Sequence, residues 1–546
     1  MKKLRFITII ISIICMLIYE IVFCNIYNTI QGEYYFSAFR LIAYFIAGLL
    51  FWKFSNRFIE EAIKSMNKKK GLIVTYIVAI VLYTAYIVIR KEEIWQICNV
   101  IMVELSGLLF ILYLSKDYIK NIVITTITLG MMFSLTSDFF HIMDEKQHFN
   151  TALNLAYGNF EYQTEPLGDK KFQNITKETP MQEFVMQYSN VKYEMKMEEV
   201  EFDKVSIPMT YNPILYLPSA LGINIARLLG GSMLDVFLAG RITNLIFFTG
   251  LLIAIFKMLP FRKDTFYCIY LLPQTIALAA SYSMDAITVG LVGLFIAYVL
   301  KIYKENQEGV NIKQFILLIV LFALVLLTKH GVYLGICIVA LILPIIKSVK
   351  KDKRILFLVL ALIIIAGVLG LYRFSNIATT SQGDIKMDEA NPKAQLEFVL
   401  NDAKRFAYVY EDCLRTTMFD LEYYEGLNLK KFMGTEYKII TWALFIFCIY
   451  TATNDGTHNF KKKEKAIMIL TFAVTFFIGT MTMYLLHTPY MSLTIIGYQA
   501  RYLIPTLPLL LMCLSSKAGN EEEEYNTTAK NMVMFMILNL ISKIMS

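Results

Sequence analysis

Long apolar runs separated by short polar segments recur from one end of the chain to the other. A helix needs about 20 apolar residues to cross the roughly 30 Å hydrocarbon core of a bilayer. Runs long enough for this lie at about residues 5–25, 36–54, 72–89, 96–115, 119–138, 235–256, 264–281, 284–302, 313–329, 331–346, 355–373, 438–452, 465–486, 498–515 and 530–545. The pattern therefore predicts an all-α polytopic integral membrane protein, with a bundle of about 14–15 transmembrane helices.

Two long polar intervals interrupt this pattern, at about residues 139–211 and 375–437. The first is too long for a tight connection and carries mixed charge, so we expect an ordered loop with short helices. The proline-containing segment that follows it, residues 213–230, could be a further span. If it crossed the membrane, three later basic loops would lie outside, so we predict that it follows the membrane surface or re-enters.

Composition excludes a soluble globular protein, because 57% of the residues are hydrophobic and the mean hydropathy is +0.53. The basic, apolar N-terminus lacks a small-x-small cleavage site, and we interpret it as an uncleaved span. The net charge of +8 comes largely from Lys and Arg in short loops, as cytoplasmic loops require, so no nucleic-acid partner is inferred. The eight cysteines are isolated, with no CxxC motif, and support neither a zinc site nor a disulfide framework.

Loop charge also orients the chain. If the basic N-terminus, the loop at 56–70 and the turn at 115–120 are cytoplasmic, the span at 119–138 leads outward. Asp144, Glu145 and His148 then follow on the outer face. The same alternation predicts further polar residues at outer ends of spans: Asp285, Lys329, His330, Arg373, His487 and Arg501.

These residues have two interpretations. Lys and Arg at the ends of spans often only reach toward lipid headgroups, and Asp285 could simply cap the helix that follows it. Acids and cations collected on one membrane face are also what a transferase needs when its donor is an anionic lipid. The cations would hold phosphate through charge-assisted hydrogen bonds, and a carboxylate would take a proton from the incoming hydroxyl.

Six sequence blocks occur in the order MDEKQHF, YNPILYLPSALG, LAGRITNLIFF, LPQTIALAASYSMDAIT, TKHGVYLGICIVALILP and GYQARYLIPTLPLLL. Together they resemble the bacterial membrane family designated domain of unknown function 2142. That family in turn resembles the C-type glycosyltransferase (GT-C) superfamily. The resemblance covers about residues 138–514, and it departs from the usual pattern at Met143 and Met284, where proline is common.

The resemblance implies a GT-C-like helical bundle, a catalytic acid in the first outer loop of the core, and a sugar donor carried on polyprenyl phosphate. Asp144 would be the general base, with Glu145 as the competing candidate, and His148 would orient a carboxylate or contact the donor phosphate. Arg501, with Lys329 or Arg373, would stabilise the departing phosphate. His330 joins this phosphate-binding set, and the blocks supply four supporting residues: Asp285, Tyr211, Arg241 and Gln499.

The expected division of the chain is an N-terminal four-span extension (1–118), a GT-C-like core (119–515) and an acidic cytoplasmic loop with a last span (516–546). The expected activity is sugar transfer to a cell-envelope glycopolymer or a lipid-linked acceptor at the outer face of a bacterial plasma membrane. No nucleotide-binding motif is present. Asp144, Glu145 and Asp285 offer oxygen ligands for a divalent metal, but no ion is assigned.

Two alternatives remain open from the sequence. A transporter or flippase of a lipid-linked saccharide would be favoured by charges at mid-bilayer and by paired broken helices in two related halves. An oligosaccharide polymerase or ligase would share the lipid donor and differ in its acceptor.

Overall fold

The structure is a computed structural model of the chain. Four predicted spans, near 5–25, 96–115, 355–373 and 530–545, lie outside the ranges that it describes. The described ranges are 37–68, 70–89, 117–142, 144–158, 167–175, 179–189, 191–193, 202–204, 212–305, 311–339, 390–418 and 438–514, with single residues between 6 and 20 and between 104 and 112.

Helices dominate the described residues, and the predicted all-α class is confirmed. The α-helices are α1 (Ala38–Lys68), α2 (Lys70–Ile89), α3 (Tyr118–Thr125), α4 (Met131–Thr136), α5 (Glu145–Ala156), α6 (Lys170–Gln173), α7 (Met181–Tyr188), α8 (Leu217–Leu228), α9 (Met233–Met258), α10 (Lys263–Tyr270), α11 (Pro273–Ala279), α12 (Asp285–Glu305), α13 (Ile312–Leu326), α14 (Pro392–Asn401), α15 (Ala403–Met418), α16 (Lys438–Asn454), α17 (Lys462–Leu486) and α18 (Leu507–Leu511).

Shorter elements connect these helices. A π-helical turn, Thr126–Gly130, joins α3 to α4. Two three-residue strands, β1 (Leu167–Asp169) and β2 (Phe202–Lys204), pair antiparallel, with Leu167 opposite Lys204. The 3-10 helices are Pro213–Tyr216, Lys329–Ile336, Ala500–Leu503 and Met512–Leu514.

Four helical segments among the described residues are long and apolar enough to cross a membrane: Tyr118–Thr136, α9, α12 and α17. The most enclosed of them is α12, which packs between α9 and α13 in the main apolar core. Length and hydropathy therefore agree with the predicted integral membrane class.

Two predicted spans are not continuous helices, which corrects the sequence interpretation. The run at 264–281 is divided into α10 and α11 because Leu272 adopts an extended conformation before Pro273. The run at 498–515 is divided into short 3-10 and α-helical pieces around Pro505 and Pro508, which lack backbone N–H groups.

A third correction concerns the loop predicted at 56–70, because α1 stays helical to Lys68 and α2 begins at Lys70. In contrast, the expectation of short helices in the interval 139–211 is confirmed for its described part, which contains α5, α6 and α7. The segment after it forms a 3-10 turn and the 12-residue α8, and at 1.5 Å per residue α8 is too short to cross the bilayer by itself.

An aromatic core fixes the polar interval against the helical bundle. Phe139, Phe149 and Phe184 surround Phe237 of α9, and the centroids of the Phe139 and Phe237 rings lie 3.9 Å apart. All four side chains are buried. The start of α5, which carries Asp144 and Glu145, is therefore held by packing on both sides of its sequence.

Polar side chains join the helices at the opposite end of the bundle. Tyr118 donates to Asp264, Thr265 donates to Asp455 at 2.9 Å, and Tyr303 donates to Glu464 at 2.8 Å. These contacts link the beginnings of α3, α10 and α17 to the ends of α12 and α16. The bundle consequently has two distinct polar ends, and the sequence candidates lie at the other one.

Candidate functional site

Four charged residues from four separate parts of the chain meet at one end of the bundle. Asp285 Oδ1 lies 2.6 Å from Lys329 Nζ, and Asp285 Oδ2 lies 2.9 Å from Arg501 Nε. Arg501 Nη2 donates to Asp144 Oδ2 at 3.0 Å. We call these four residues the charged cluster. It contains two carboxylates and two cations, so its charges balance.

Asp285 is fixed by the start of α12. It lies in the first turn of that helix, where the helix dipole favours a carboxylate, and its backbone N–H donates to Ser283 Oγ. Asn244 of α9 donates to the carbonyl oxygens of Ser281 and Ser283 and holds this turn in place. The Asp285 side chain is buried, so its two cationic partners replace the water that it loses.

Lys329 enters the cluster from a sharp turn after α13. Its φ is +35°, and Gly331, two residues later, has φ +84°. The Lys329 ammonium lies 3.4 Å from the centroid of the Tyr502 ring, a cation–π contact. Tyr333 of the same 3-10 helix donates to the Tyr502 carbonyl at 2.9 Å. The turn therefore ties Lys329 to the segment that carries Arg501.

Asp144 is the accessible member of the cluster. Its side chain is 37% exposed, whereas those of Asp285, Lys329 and Arg501 are 7%, 5% and 2% exposed. It precedes α5 with φ +62°, a left-handed conformation that is uncommon for residues other than glycine. Strained backbone of this kind concentrates at functional sites, and here Asp144 and Lys329 both show it.

Glu145 has a different environment from its neighbour. Both of its oxygens accept from Arg241 at 2.8 Å, from Nε and Nη2, and both side chains are completely buried. Arg241 also donates to the carbonyl oxygens of Ser134, Ser137 and Asp138. This pair joins α9 to the chain around α5, and its geometry argues against Glu145 as the competing base and against a ligand-binding role for Arg241.

The turn before α12 also depends on this pair. The Tyr282 backbone N–H donates to Glu145 Oε1 at 3.3 Å, and its hydroxyl donates to the Phe237 carbonyl at 2.8 Å. The Tyr282 ring packs where Gly240 has no side chain. Glu145 therefore links the elements that carry Asp144 and Asp285.

His148 lies one helical turn after Asp144 and is buried beside the cluster. Its Nδ1 is 2.8 Å from the Tyr216 hydroxyl. Burial lowers the pKa of His148 to about 4, against the opposing effect of Asp144 and Asp285. The imidazole is therefore neutral at physiological pH, and it contributes hydrogen bonding without a positive charge.

Of the remaining residues predicted from the sequence, three are not described, or are described only in part, by the structure. Tyr211 and Arg373 lie outside the described residues, as does the side chain of His330. Gln499 is buried directly before the 3-10 helix that carries Arg501, and its carbonyl accepts from the Tyr502 N–H.

The acids do not form a metal-binding group. Among the described residues, no three His, Cys, Asp or Glu side chains are grouped so that they could hold an ion. Glu145 is directed to Arg241, while Asp144 and Asp285 are bound to cations. The ligand set considered from the sequence therefore does not fit a divalent metal.

Two tyrosines were missed by the sequence reasoning. Tyr502 contacts Lys329 through its ring, and Tyr216 is the partner of His148. Both belong to sequence blocks that contain other candidate residues, Tyr211 for Tyr216 and Arg501 for Tyr502. Position next to Arg501 was the available signal for Tyr502, whereas the contact of Tyr216 depends on the folding of a distant segment.

Fold and site together define a helical, multi-pass membrane protein with a charged cluster at one end of its bundle. The chain belongs to the family of predicted membrane proteins designated DUF2142, whose model matches residues 127–510. The matched region contains all four residues of the charged cluster. No curated protein and no solved structure matches the chain. The further resemblance to GT-C glycosyltransferases stays a prediction.

Proposed function

We propose that the protein is a membrane glycosyltransferase of the bacterial cell envelope, which uses a polyprenyl-phosphate sugar as donor. The observation that carries this proposal is the contact of an accessible carboxylate, Asp144, with Arg501, one of the two buried cations of the charged cluster. A lipid-phosphate donor needs cations at its phosphate and a base near its anomeric carbon. The cluster supplies both within a few ångströms.

In this proposal the acceptor hydroxyl attacks the anomeric carbon and gives its proton to Asp144. The bond between the anomeric carbon and the phosphate oxygen breaks, and polyprenyl phosphate leaves. Arg501 and Lys329 stabilise the negative charge that grows on the departing phosphate. A single displacement of this kind inverts the anomeric configuration.

The other members of the site have supporting roles. Asp285 holds both cations in position, since it contacts Lys329 and Arg501 directly. Neutral His148 orients the groups around it, because it hydrogen-bonds Tyr216 beside the cluster. The acceptor would be an envelope glycopolymer or a lipid-linked saccharide that reaches the site from the outer face.

A transporter or flippase receives less support from the described residues. A second buried ionic group contains Arg40, Glu20 and Asp235, with distances of 2.9–3.0 Å. Asp235 lies in the first turn of α9, so this group is near a helix end. Transport would favour charges near the middle of the membrane.

The test is transfer of radiolabelled sugar from a panel of polyprenyl-phosphate sugars by the purified protein. Asp144→Asn should reduce transfer by at least about 100-fold, the usual contribution of a general base. Asp138→Asn is the matched control: this exposed residue is in the same loop, and its Oδ1 accepts from the Met181 N–H, which asparagine can still do. Equal transfer by the Asp144→Asn and wild-type proteins would exclude the proposed base.

A further inference from the structure

The Asp144 carboxylate that the proposed function needs as a base is bound to Arg501, the residue that would hold the donor phosphate. Both roles cannot be performed in this arrangement. We propose that a phosphate group and Asp144 compete for Arg501, so that donor binding displaces Asp144 and frees its carboxylate. The inference rests on the proposed function for the identity of the ligand, and it adds an order of events.

The two carboxylates of the charged cluster differ in how firmly they are held. Asp285 is buried at the start of a long helix and contacts both cations. Asp144 is more than one-third exposed, lies at a left-handed turn, and contacts one cation among the described residues, Arg501, through Nη2. Water can compete with Arg501 for the exposed part of the Asp144 carboxylate, which weakens this contact, whereas the contacts of Asp285 are shielded from water. Asp144 is therefore the carboxylate that an incoming anion can replace.

Arg501 has unused hydrogen-bonding capacity on the same side of its guanidinium. Its Nη1 is buried and makes no hydrogen bond to any described residue. Nη1 and Nη2 form one edge of the planar guanidinium, and Nη2 is the atom bound to Asp144. Two phosphate oxygens can accept from both nitrogens at once, which a single contact from Asp144 does not achieve.

Charge balance leads to the same conclusion. When Asp144 leaves, Asp285, Lys329 and Arg501 carry a net charge of +1, since His148 is neutral. A phosphodiester carries one negative charge and restores neutrality. The product lipid phosphate carries more negative charge than the donor, so it binds this position more strongly. Asp144 therefore occupies the phosphate position in the observed arrangement, and it returns there when the product leaves.

The order of binding follows from this competition. Without donor, the Asp144 carboxylate is held by Arg501, because its Oδ2 accepts the hydrogen bond from Arg501 Nη2 and is not directed at an acceptor hydroxyl. Donor binding removes the cation from the base. Water that reaches the site without donor therefore meets an inactive carboxylate, and an acceptor is activated only when a sugar donor is present.

The test measures binding, so it does not depend on turnover. The full-length protein in detergent is titrated with farnesyl phosphate, inorganic phosphate or farnesol, and dissociation constants are measured by isothermal calorimetry. Asp144→Asn should bind farnesyl phosphate about fivefold more tightly than wild type, because the competing charge is gone. Asp138→Asn should match wild type, and farnesol should not respond to either change.

Arg501→Gln should weaken farnesyl phosphate binding, and Asp144→Asn should produce no gain in the Arg501→Gln protein. If Asp144→Asn increases the affinity for inorganic phosphate by the same factor, the site recognises the phosphate group alone. If only the affinity for farnesyl phosphate increases, the lipid chain also contributes to binding. Both results support competition. Unchanged or weaker farnesyl phosphate binding by Asp144→Asn, or no binding by any protein, overturns it.

This experiment separates the inference from the proposed function. Tighter binding by Asp144→Asn without sugar transfer from any donor would retain the competition and exclude the transferase. Transfer that depends on Asp144, without tighter binding by the variant, would retain the transferase and exclude the competition.

Discussion

Asp144 and Glu145 are adjacent in the sequence, yet their carboxylates point to different parts of the protein. Glu145 is completely buried together with Arg241, and their ion pair joins the start of α5 to α9. Asp144 is partly exposed and contacts Arg501, which is 357 positions away in the chain. The difference arises because helix α5 begins between them, which turns one side chain toward the core and leaves the other at its edge.

The Glu145–Arg241 pair should be essential for stability. Arg241→Gln would leave a buried carboxylate without its cation, which costs about 3–5 kcal/mol of unfolding free energy. The thermal unfolding midpoint of the protein in detergent is the measurement. Arg415→Gln is the control, because Arg415 forms an exposed pair with Asp412 and should change stability by less than about 1 kcal/mol. Similar midpoints for the two variants would contradict a structural role for Arg241.

His148 should make stability dependent on pH. Burial lowers its pKa from 6.5 to about 4, so the unfolded chain binds a proton more readily than the folded one. Stability should therefore fall as the pH decreases from about 6.5 to about 4, by up to about 3 kcal/mol. His148→Gln should remove this part of the dependence while other groups keep theirs. If the unfolding midpoints of the wild-type and His148→Gln proteins change with pH in the same way, the lowered pKa of His148 is not the cause of this dependence.

At the scale of elements, the site is formed where helices end or break. Asp285 begins α12, Lys329 follows α13 at a turn with positive φ, and Arg501 lies on a 3-10 helix before Pro505. Polar side chains at such positions reach each other without interrupting the hydrogen bonds of a long helix. The broken helices also bring backbone groups to the site, since Tyr333 donates to the Tyr502 carbonyl.

The crossing of α8 and α9 is another element on which the site depends. A Cβ atom at Gly222 would clash with the Ala239 carbonyl and the Thr243 hydroxyl, so the helices approach closely only because residue 222 is glycine. Gly222→Val should lower the unfolding free energy by about 1–3 kcal/mol through overpacking. Gly250→Ala is the matched control in α9, where a Cβ meets no atom within 4 Å. Equal midpoints for the two variants would contradict this close packing.

At the scale of the whole molecule, two polar ends are separated by an apolar core. One end carries the charged cluster, and the other joins helices through Asp264, Asp455 and Glu464. The structure establishes that these groups are at different ends, while the assignment of the cluster to the outer face comes from the positive-inside pattern. The separation of the two polar ends and the orientation of the protein in the membrane are independent statements, and the orientation can be tested separately.

Cysteine labelling checks the orientation. Gln187 is exposed on α7 at the cluster end, and Lys304 is exposed at the last turn of α12, at the opposite end. Gln187→Cys should react with a membrane-impermeant maleimide in intact cells, and Lys304→Cys should react only after permeabilisation, each relative to the parent protein. The reverse pattern would place the cluster in the cytoplasm and exclude transfer at the outer leaflet.

Part of the site was predictable because its signals are local. Charged residues at the ends of apolar runs are visible in the sequence, and this pattern predicts Asp144, Asp285, Lys329 and Arg501 as candidate site residues. The roles of Glu145 and Arg241 were not predictable, because a bidentate buried pair depends on a contact across 96 positions. The helix breaks at Pro273 and Pro505 were underestimated, since hydropathy averages do not detect single missing N–H groups.

The sequence by itself determined the class of the protein, because crossing a membrane requires apolar runs of a given length, and such runs are a property of consecutive residues. It also determined which residues are charged and near helix ends. Only the tertiary structure decided which carboxylate is buried, which is accessible, and which cations they share. These properties depend on packing between distant segments. A buried charge is costly unless it is paired, and the spacing of residues in the sequence does not specify its partner.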